Sequence, residues 1–325
     1  MSDLGDWEFP EALRPKSEGW AFDVGNALDS VLSISAEVPA DAFTASILGT
    51  ERAGNGVLID RTGLVLTIGY LITEAEQIWL GQNSGKVVPG HVVAYDFESG
   101  FGLVQALAPL DAQPLPLGRS RDLAVGSPVI VAGAGGRRRA LAAKIVGKRE
   151  FAGYWEYVLD EAIFTAPAHP HWGGTGLLGP DGKLYGIGSL YVQQARGGDT
   201  KAEGNMIVPI DLLPPILDAL TKTGTTGRPP RPWLGFYATE TEDRLLVVGL
   251  SPKGPAEKAG VRPGDIVIDV AGAPVGNLAD LWRTVWAYGK AGSDVPMTFL
   301  RDGKAKRCTL KSVDRASFLK SPRLH

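Results

Sequence analysis

From Val31 onward, apolar residues come in short runs separated by turn residues. The runs are VLSI (31–34), GVLID (56–60), LVLTI (64–68), QIWLG (77–81), VVPGHVVAYD (87–96), FGLVQAL (101–107), SPVIVAG (127–133), ALAAKIVG (140–147), YWEYVLD (154–160), LYGIGSL (184–190) and NMIVP (205–209). Arg-Thr-Gly, Asn-Ser-Gly, Gly-Ala-Gly-Gly and Pro-Asp-Gly punctuate them. Many short strands at even spacing predict an all-β barrel or sandwich. A helix is predicted over 210–220, IDLLPPILDAL, with apolar residues at three- and four-residue steps and its Pro pair near the start. The stretch 221–232, TKTGTTGRPPRP, has no hydrophobic period and reads as a linker.

Beyond the linker the pattern changes to a smaller α+β unit. LLVVGL (245–250) and the strand ending VRPGDIVIDVAG (261–272) flank a short helix, PAEKAG (255–260). NLADLWRTVWAYG (277–289) predicts a helix capped by Asn277 and stopped by Gly289. MTFLRDG and AKRCTLKSV close the unit across an Asp-Gly hairpin. The expected boundaries are an arm over 1–26, a β domain over 27–220, the linker, a small domain over 233–316 and a tail over 317–325.

Composition adds little. The chain has 325 residues, 44% hydrophobic and 21% charged, with a net charge of -3. These values suit about two globular domains and give no reason to expect nucleic acid as a partner. Residues 1–20 lack the apolar core of a secretory signal, and no run approaches the ~18 apolar residues of a membrane span. No membrane insertion and a cytoplasmic location are therefore expected. Cys308 stands alone in a predicted strand, where a buried structural thiol is the plainer reading. The arm carries Trp7, Phe9, Trp20 and Phe22 without a period, placed to pack on the barrel or on another subunit. Arg137, Arg138 and Arg139 fall between two strands and read as a solvated tip, with docking of an acidic partner as the sharper alternative. GAGGRRR lacks the Lys-Ser/Thr and helix of a phosphate loop, and GNGVLID opens a strand, so no cofactor is expected.

The order of motifs resembles the HtrA family, a trypsin-like double β-barrel followed by a PDZ domain. GNGVLIDRTGLVLT is similar to its first-barrel hairpin, LGRSRDLAVGSPVIVAG to the opening of its second barrel, and GNMIVPIDLLPPILDAL to the final strand and helix. RPWLGF and SPKGPAEKAGVRPGDIVIDVAGAPV are similar to its PDZ domain. The resemblance implies the Ser-His-Asp chemistry of acyl transfer. It also puts Tyr70 at the histidine position, Gly100 at the aspartate position and Gly173, in HPHWGGTG, at the serine position. With all three replaced, no catalytic residue is expected: a tyrosine of ordinary pKa ~10 is no general base near neutral pH, and losing nucleophile or base alone removes nearly all the chemistry.

Three functions follow as expectations. The first is a catalytically inactive pseudoprotease that serves as a scaffold and binds protein C-termini or extended peptides through its PDZ domain. The peptide would lie against Trp233, Leu234, Gly235 and Phe236, whose amides would take its carboxylate, and against Leu278, Leu281, Trp282 and Val285 of the helix. An internal ligand from the chain itself is compatible with this reading. The second is a serine endopeptidase with a non-standard active site. The third is a metal-binding protein using His169 and His171, whose imidazoles suit zinc, copper, nickel or iron. No third ligand is evident beside Asp96, Glu98 or His91, and loop histidines filling space are the plainer reading. The resemblance also implies a homotrimer held by N-terminal aromatic residues.

Overall fold

The computed structural model describes residues 7–197, 202–241 and 244–320. Parts of the expected arm (1–6) and tail (321–325) lie outside the described residues. The chain divides into two compact units. One comprises the residues up to Arg149, Glu161–Gly227 and Lys320, and the other Glu150–Asp160 and Arg228–Leu319.

The first unit holds two closed antiparallel barrels. One is built from β1 (Val31–Glu37), β2 (Glu51–Leu58), β3 (Leu64–Ile68), β4 (Gln77–Gly81), β5 (Val87–Tyr95) and β6 (Phe101–Ala106), in the order β1-β2-β3-β6-β5-β4. The other uses β7 (Pro128–Ala132), β8 (Ala140–Gly153), β9 (Tyr157–Ala166), β10 (Gly176–Leu178), β11 (Leu184–Val192) and β12 (Gly204–Pro209), in the order β10-β11-β12-β9-β8-β7. Closure leaves no free sheet edge in either barrel. β4 alternates exposed and buried positions, as a strand does when it has one wet face. β3 is buried throughout, which is why LVLTI reads as an unbroken apolar run. The helix Pro214–Thr223 extends three residues into the stretch expected to be linker, and a 3₁₀ turn, Ile210–Leu212, precedes it.

Two expectations need correction. YWEYVLD is not one strand: Tyr154–Glu156 form the turn between β8 and β9, and the second strand begins at Tyr157. Aromatic residues on both sides of a hairpin turn mimic a continuous strand pattern. Trp155 stacks on Tyr157 and meets Tyr154 edge-on. The arginine run is not a free tip either. It forms a 3₁₀ turn over Gly136–Arg139 that ties down the N-terminal segment. Arg137 donates to Pro15 O and Ser17 Oγ, Arg139 lies over the Trp7 ring, and Phe9 N donates to Arg138 O. Phe9 enters the core of the second barrel with Leu123, Val129 and Ile163. Phe22 packs against Gly182, so the arm's aromatic residues lie on the chain's own barrel.

A buried polar knot fixes the first barrel. Arg52 donates to Gly49 O, Tyr70 O, Thr73 O and Thr44 Oγ1. Glu74 accepts from Phe43 N, from Thr44 N and Oγ1, and from Lys320 N. Burial pushes the Glu74 carboxyl up, but these donors together outweigh it and leave it below its ordinary value.

The second unit is a sheet of β13 (Phe236–Thr241), β14 (Arg244–Leu250), β15 (Ile266–Val270), β17 (Asp294–Arg301) and β18 (Lys304–Lys311), with β16 (Ala273–Pro274) beside β15. The helix Leu278–Ala287 covers it, and Asn277 caps that helix by accepting from Asp280 N at 2.8 Å. Its core gathers Phe236, Val247, Leu281, Trp282, Val285 and Phe299. Cys308 lies half-buried on β18.

Arg52→Ala removes four bonds, strips the Tyr70 and Thr73 carbonyls of their guanidinium donor and takes a cation from beside Glu74. It should lower stability by about 3–5 kcal/mol. Urea denaturation followed by circular dichroism measures this; a loss below about 1 kcal/mol would mean that water replaces the guanidinium.

Candidate functional site

The first barrel supplies Tyr70 from a 3₁₀ turn, Gly69–Leu71, at the end of β3. Arg52 Nη1 holds that turn through Tyr70 O and Thr73 O, both at 2.9 Å. The Tyr70 hydroxyl donates to Ser189 O at 2.9 Å. Burial drives its pKa above the ordinary phenol value, and a side-chain hydrogen bond with Trp172 acts the other way. Gly100 O accepts from Gly69 N at 2.7 Å, so Gly100 lies against the same turn.

Gly173 lies in the loop between β9 and β10 and faces Tyr70. A Cβ on Gly173 would stand 2.8 Å from the Tyr70 hydroxyl oxygen. The fold thus gathers Tyr70, Gly100 and Gly173 in one place. None of the three brings a nucleophile or a base of suitable pKa. Asn55 secures the loop. Its Nδ2 donates to His171 O and Gly173 O, its backbone N to Gly173 O, and its Oδ1 accepts from Ala134 N. Gly174 must be glycine: its φ is +76° and a Cβ would fall 1.8 Å from Asn55 O.

In acyl transfer by this class of fold, the oxyanion is held by the amides of the nucleophile position and the residue two before it. Here the second of these, His171 N, donates to His169 Nδ1 at 3.1 Å. His169 Nε2 lies 2.9 Å from Arg139 O, so the neutral ring carries its proton on Nε2. Asn205 brackets the same residue, accepting from His169 N and donating to His169 O. Trp7 and Phe9 meet the ring edge-on, and Trp7 also covers His171. Burial is the main reason the His169 pKa falls to about 4. With both ring nitrogens engaged, a metal would first have to break those bonds. Among the described residues no three of His, Cys, Asp and Glu cluster at metal-binding distance. Asp96 instead caps its own loop through Ser99 N and Oγ.

In the second unit six of the eight residues expected to line a groove, Leu234, Phe236, Leu278, Leu281, Trp282 and Val285, belong to one apolar core. Trp233, Leu234, Phe236, Leu278, Leu281, Trp282 and Val285 are buried, and Gly235 takes φ +73°. Trp233 N and O pair with Val313, which leaves the amides of Leu234, Gly235 and Phe236 as the loop's donors. Those donors hold a carboxylate. Leu234 N reaches Glu156 Oε1 and Oε2 at 3.1 and 3.2 Å, and Gly235 N reaches Oε1 at 2.8 Å. Ala238 N on β13 donates to Tyr154 O at 3.2 Å, and Trp282 Nε1 to Gly153 O at 2.9 Å. Val158 joins the apolar cluster. Burial raises the Glu156 carboxyl to about 7, against the opposing pull of the Gly235 and Leu234 amides and of Arg315. Glu156 was not among the residues singled out from the sequence; its one signal was an acid set in an aromatic run.

Residues 54–187 match the trypsin-like peptidase domain family, and residues 232–311 match the PDZ domain family. The chain therefore has the two-domain organisation of the HtrA family. It is 28% identical over 276 residues to a probable periplasmic serine endoprotease DegP-like protein of Pseudomonas fluorescens, covering 80% of this chain and 56% of that one. It is 26% identical over 281 residues to the serine endoprotease DegS of Escherichia coli, covering 79% and 75%. The chain thus spans little more than half of its DegP-like relative. The solved HtrA-type protease AlgW with tripeptide shares the fold, with a TM-score of 0.52 and 18% identity over 92% of this chain and 97% of that one. Among the described residues no helix is long and apolar enough to cross a membrane.

The His169 ring loses stability to acid in a defined direction. Its folded pKa, about 4, lies below the unfolded value of about 6.5, so the unfolded chain binds the extra proton between them. The contribution is complete above pH ~6.5 and is lost as pH falls through ~4, on the order of 3 kcal/mol in all. Imidazole NMR should show His169 still neutral at pH 5; a midpoint at or above pH 6 would contradict the arrangement.

Proposed function

We propose that this chain is a peptide-binding HtrA-type protein whose barrel site has no serine-protease activity. Its PDZ domain takes extended peptides by their C-terminal carboxylate. The observation that carries the reading is the carboxylate seated on the Leu234 and Gly235 amides, which are the donors such a domain offers to a peptide terminus. Gly235 presents its amide through a left-handed conformation that a side chain would strain. The buried apolar row Leu278, Leu281, Trp282 and Val285 suits a hydrophobic last side chain. For the barrel, the reading rests on a glycine at 173 and on a Tyr70 hydroxyl already bonded to Ser189 O.

Two measurements on the full chain test the proposal. A serine-directed phosphonate probe and casein should reveal no labelled serine and no cleavage. Gly173→Ser should not change that, since its Cβ would crowd Tyr70; specific labelling of any serine in the native chain refutes the inactive-barrel reading. Labelled hexapeptides ending in Val or Leu should bind at least ten-fold better as free acids than as C-terminal amides. Gly235→Asp should abolish that preference, and equal binding of acid and amide refutes carboxylate capture.

A further inference from the structure

The peptide groove is already filled by the chain itself. We propose that the segment Gly153–Val158 is a built-in latch, and that a peptide with a free C-terminus enters the PDZ groove by displacing it. This rests on the carboxylate-capture reading above.

The segment reproduces a bound peptide with its own atoms. The Glu156 side chain supplies the carboxylate to Leu234 N and Gly235 N. Tyr154 O supplies a backbone acceptor to Ala238 N, on strand β13, where an added peptide strand would pair. Gly153 O satisfies the indole of Trp282, and Val158 closes the apolar cluster. Outside the groove, Arg283 pairs with Glu150 and Asp160, one on each arm of the hairpin.

The backbone argues that the glutamate is there for its side chain. Glu156 sits at φ +63°, a conformation that glycine or asparagine enters far more readily. A turn selected for stability alone would not favour glutamate there. Strain of this kind persists where something else holds it, and here the held group is the carboxylate. A tethered ligand acts at an effective concentration in the millimolar range. The apparent affinity of an outside peptide therefore falls by the fraction of molecules in which the groove is open.

Glu156→Gly tests this directly, because it deletes the carboxylate while relieving the backbone. In fluorescence anisotropy on the full chain, the variant should bind a labelled hexapeptide ending in Val or Leu at least ten-fold more tightly than the native chain, with the free-acid preference kept. Glu156→Gln, which keeps one acceptor oxygen, should fall between the two. Amide hydrogen exchange supplies an independent reading: Leu234 and Gly235 should be protected in the native chain, exposed in Glu156→Gly, and protected again when the peptide is added. Equal free-acid affinity in native and variant chains overturns the latch and leaves peptide binding intact. No free-acid binding in any of the three overturns peptide capture and the latch with it. Fast exchange at Leu234 and Gly235 in the native chain overturns the latch alone.

Discussion

One side chain joins the pieces of the barrel site. Asn55 uses both amide hydrogens on two carbonyls of the His169–Gly174 loop and its oxygen on the Ala134 amide of another segment, while Thr67 Oγ1 satisfies its backbone oxygen. Each of these groups is buried or nearly so, and an unpaired one would cost about 1–3 kcal/mol. The loop from His169 to Gly174 therefore has one low-energy path, and Gly174 must pass within touching distance of the Asn55 carbonyl. That constraint holds whatever stands at position 173. It explains how the frame of a peptidase loop persists in a chain with glycine at position 173.

Packing fills the space between the two barrel segments at this site. Tyr70 reaches Ser189 O and stands where a side chain on Gly173 would have to go. His169 fills the other side of the loop, bonded at both nitrogens and walled by Trp7 and Phe9. The two changes support each other. A small residue at 173 admits the tyrosine, and the tyrosine then excludes any larger residue. Enlarging residue 173 alone meets the tyrosine, whereas shrinking Tyr70 alone leaves a gap beside Gly173 and takes the donor from Ser189 O.

Much of this was legible in the sequence. Strand runs, turn residues and the Asn277 cap are local signals, and local signals set the barrels and the covering helix. The meeting of Tyr70, Gly100 and Gly173 was legible only through a family resemblance, because the three lie on separate segments and carry no shared period. The roles of Arg137, Arg139 and Glu156 were not legible. Each is a polar residue whose partner is more than seventy positions away, and nothing in a one-dimensional pattern marks a long-range polar pair. YWEYVLD misled for the same reason: its aromatic residues report burial, but not that the chain reverses among them to aim one acid at a distant loop.

The two buried glutamates show why that acid suits a displaceable contact. Glu74 gathers three backbone amides and a hydroxyl and lies in the field of Arg52, and its carboxyl sits below its ordinary value. Such a group is best left in place, since freeing it gives up charge-assisted bonds. Glu156 is held mainly by the Leu234 and Gly235 amides, and burial wins, lifting its carboxyl to about 7. Near neutral pH its ionised form gains solvation on leaving the loop, which offsets much of what the amides contribute. The same functional group is thus a fixed strut in one unit and a poised one in the other: the donors outweigh burial at Glu74, and burial outweighs the donors at Glu156.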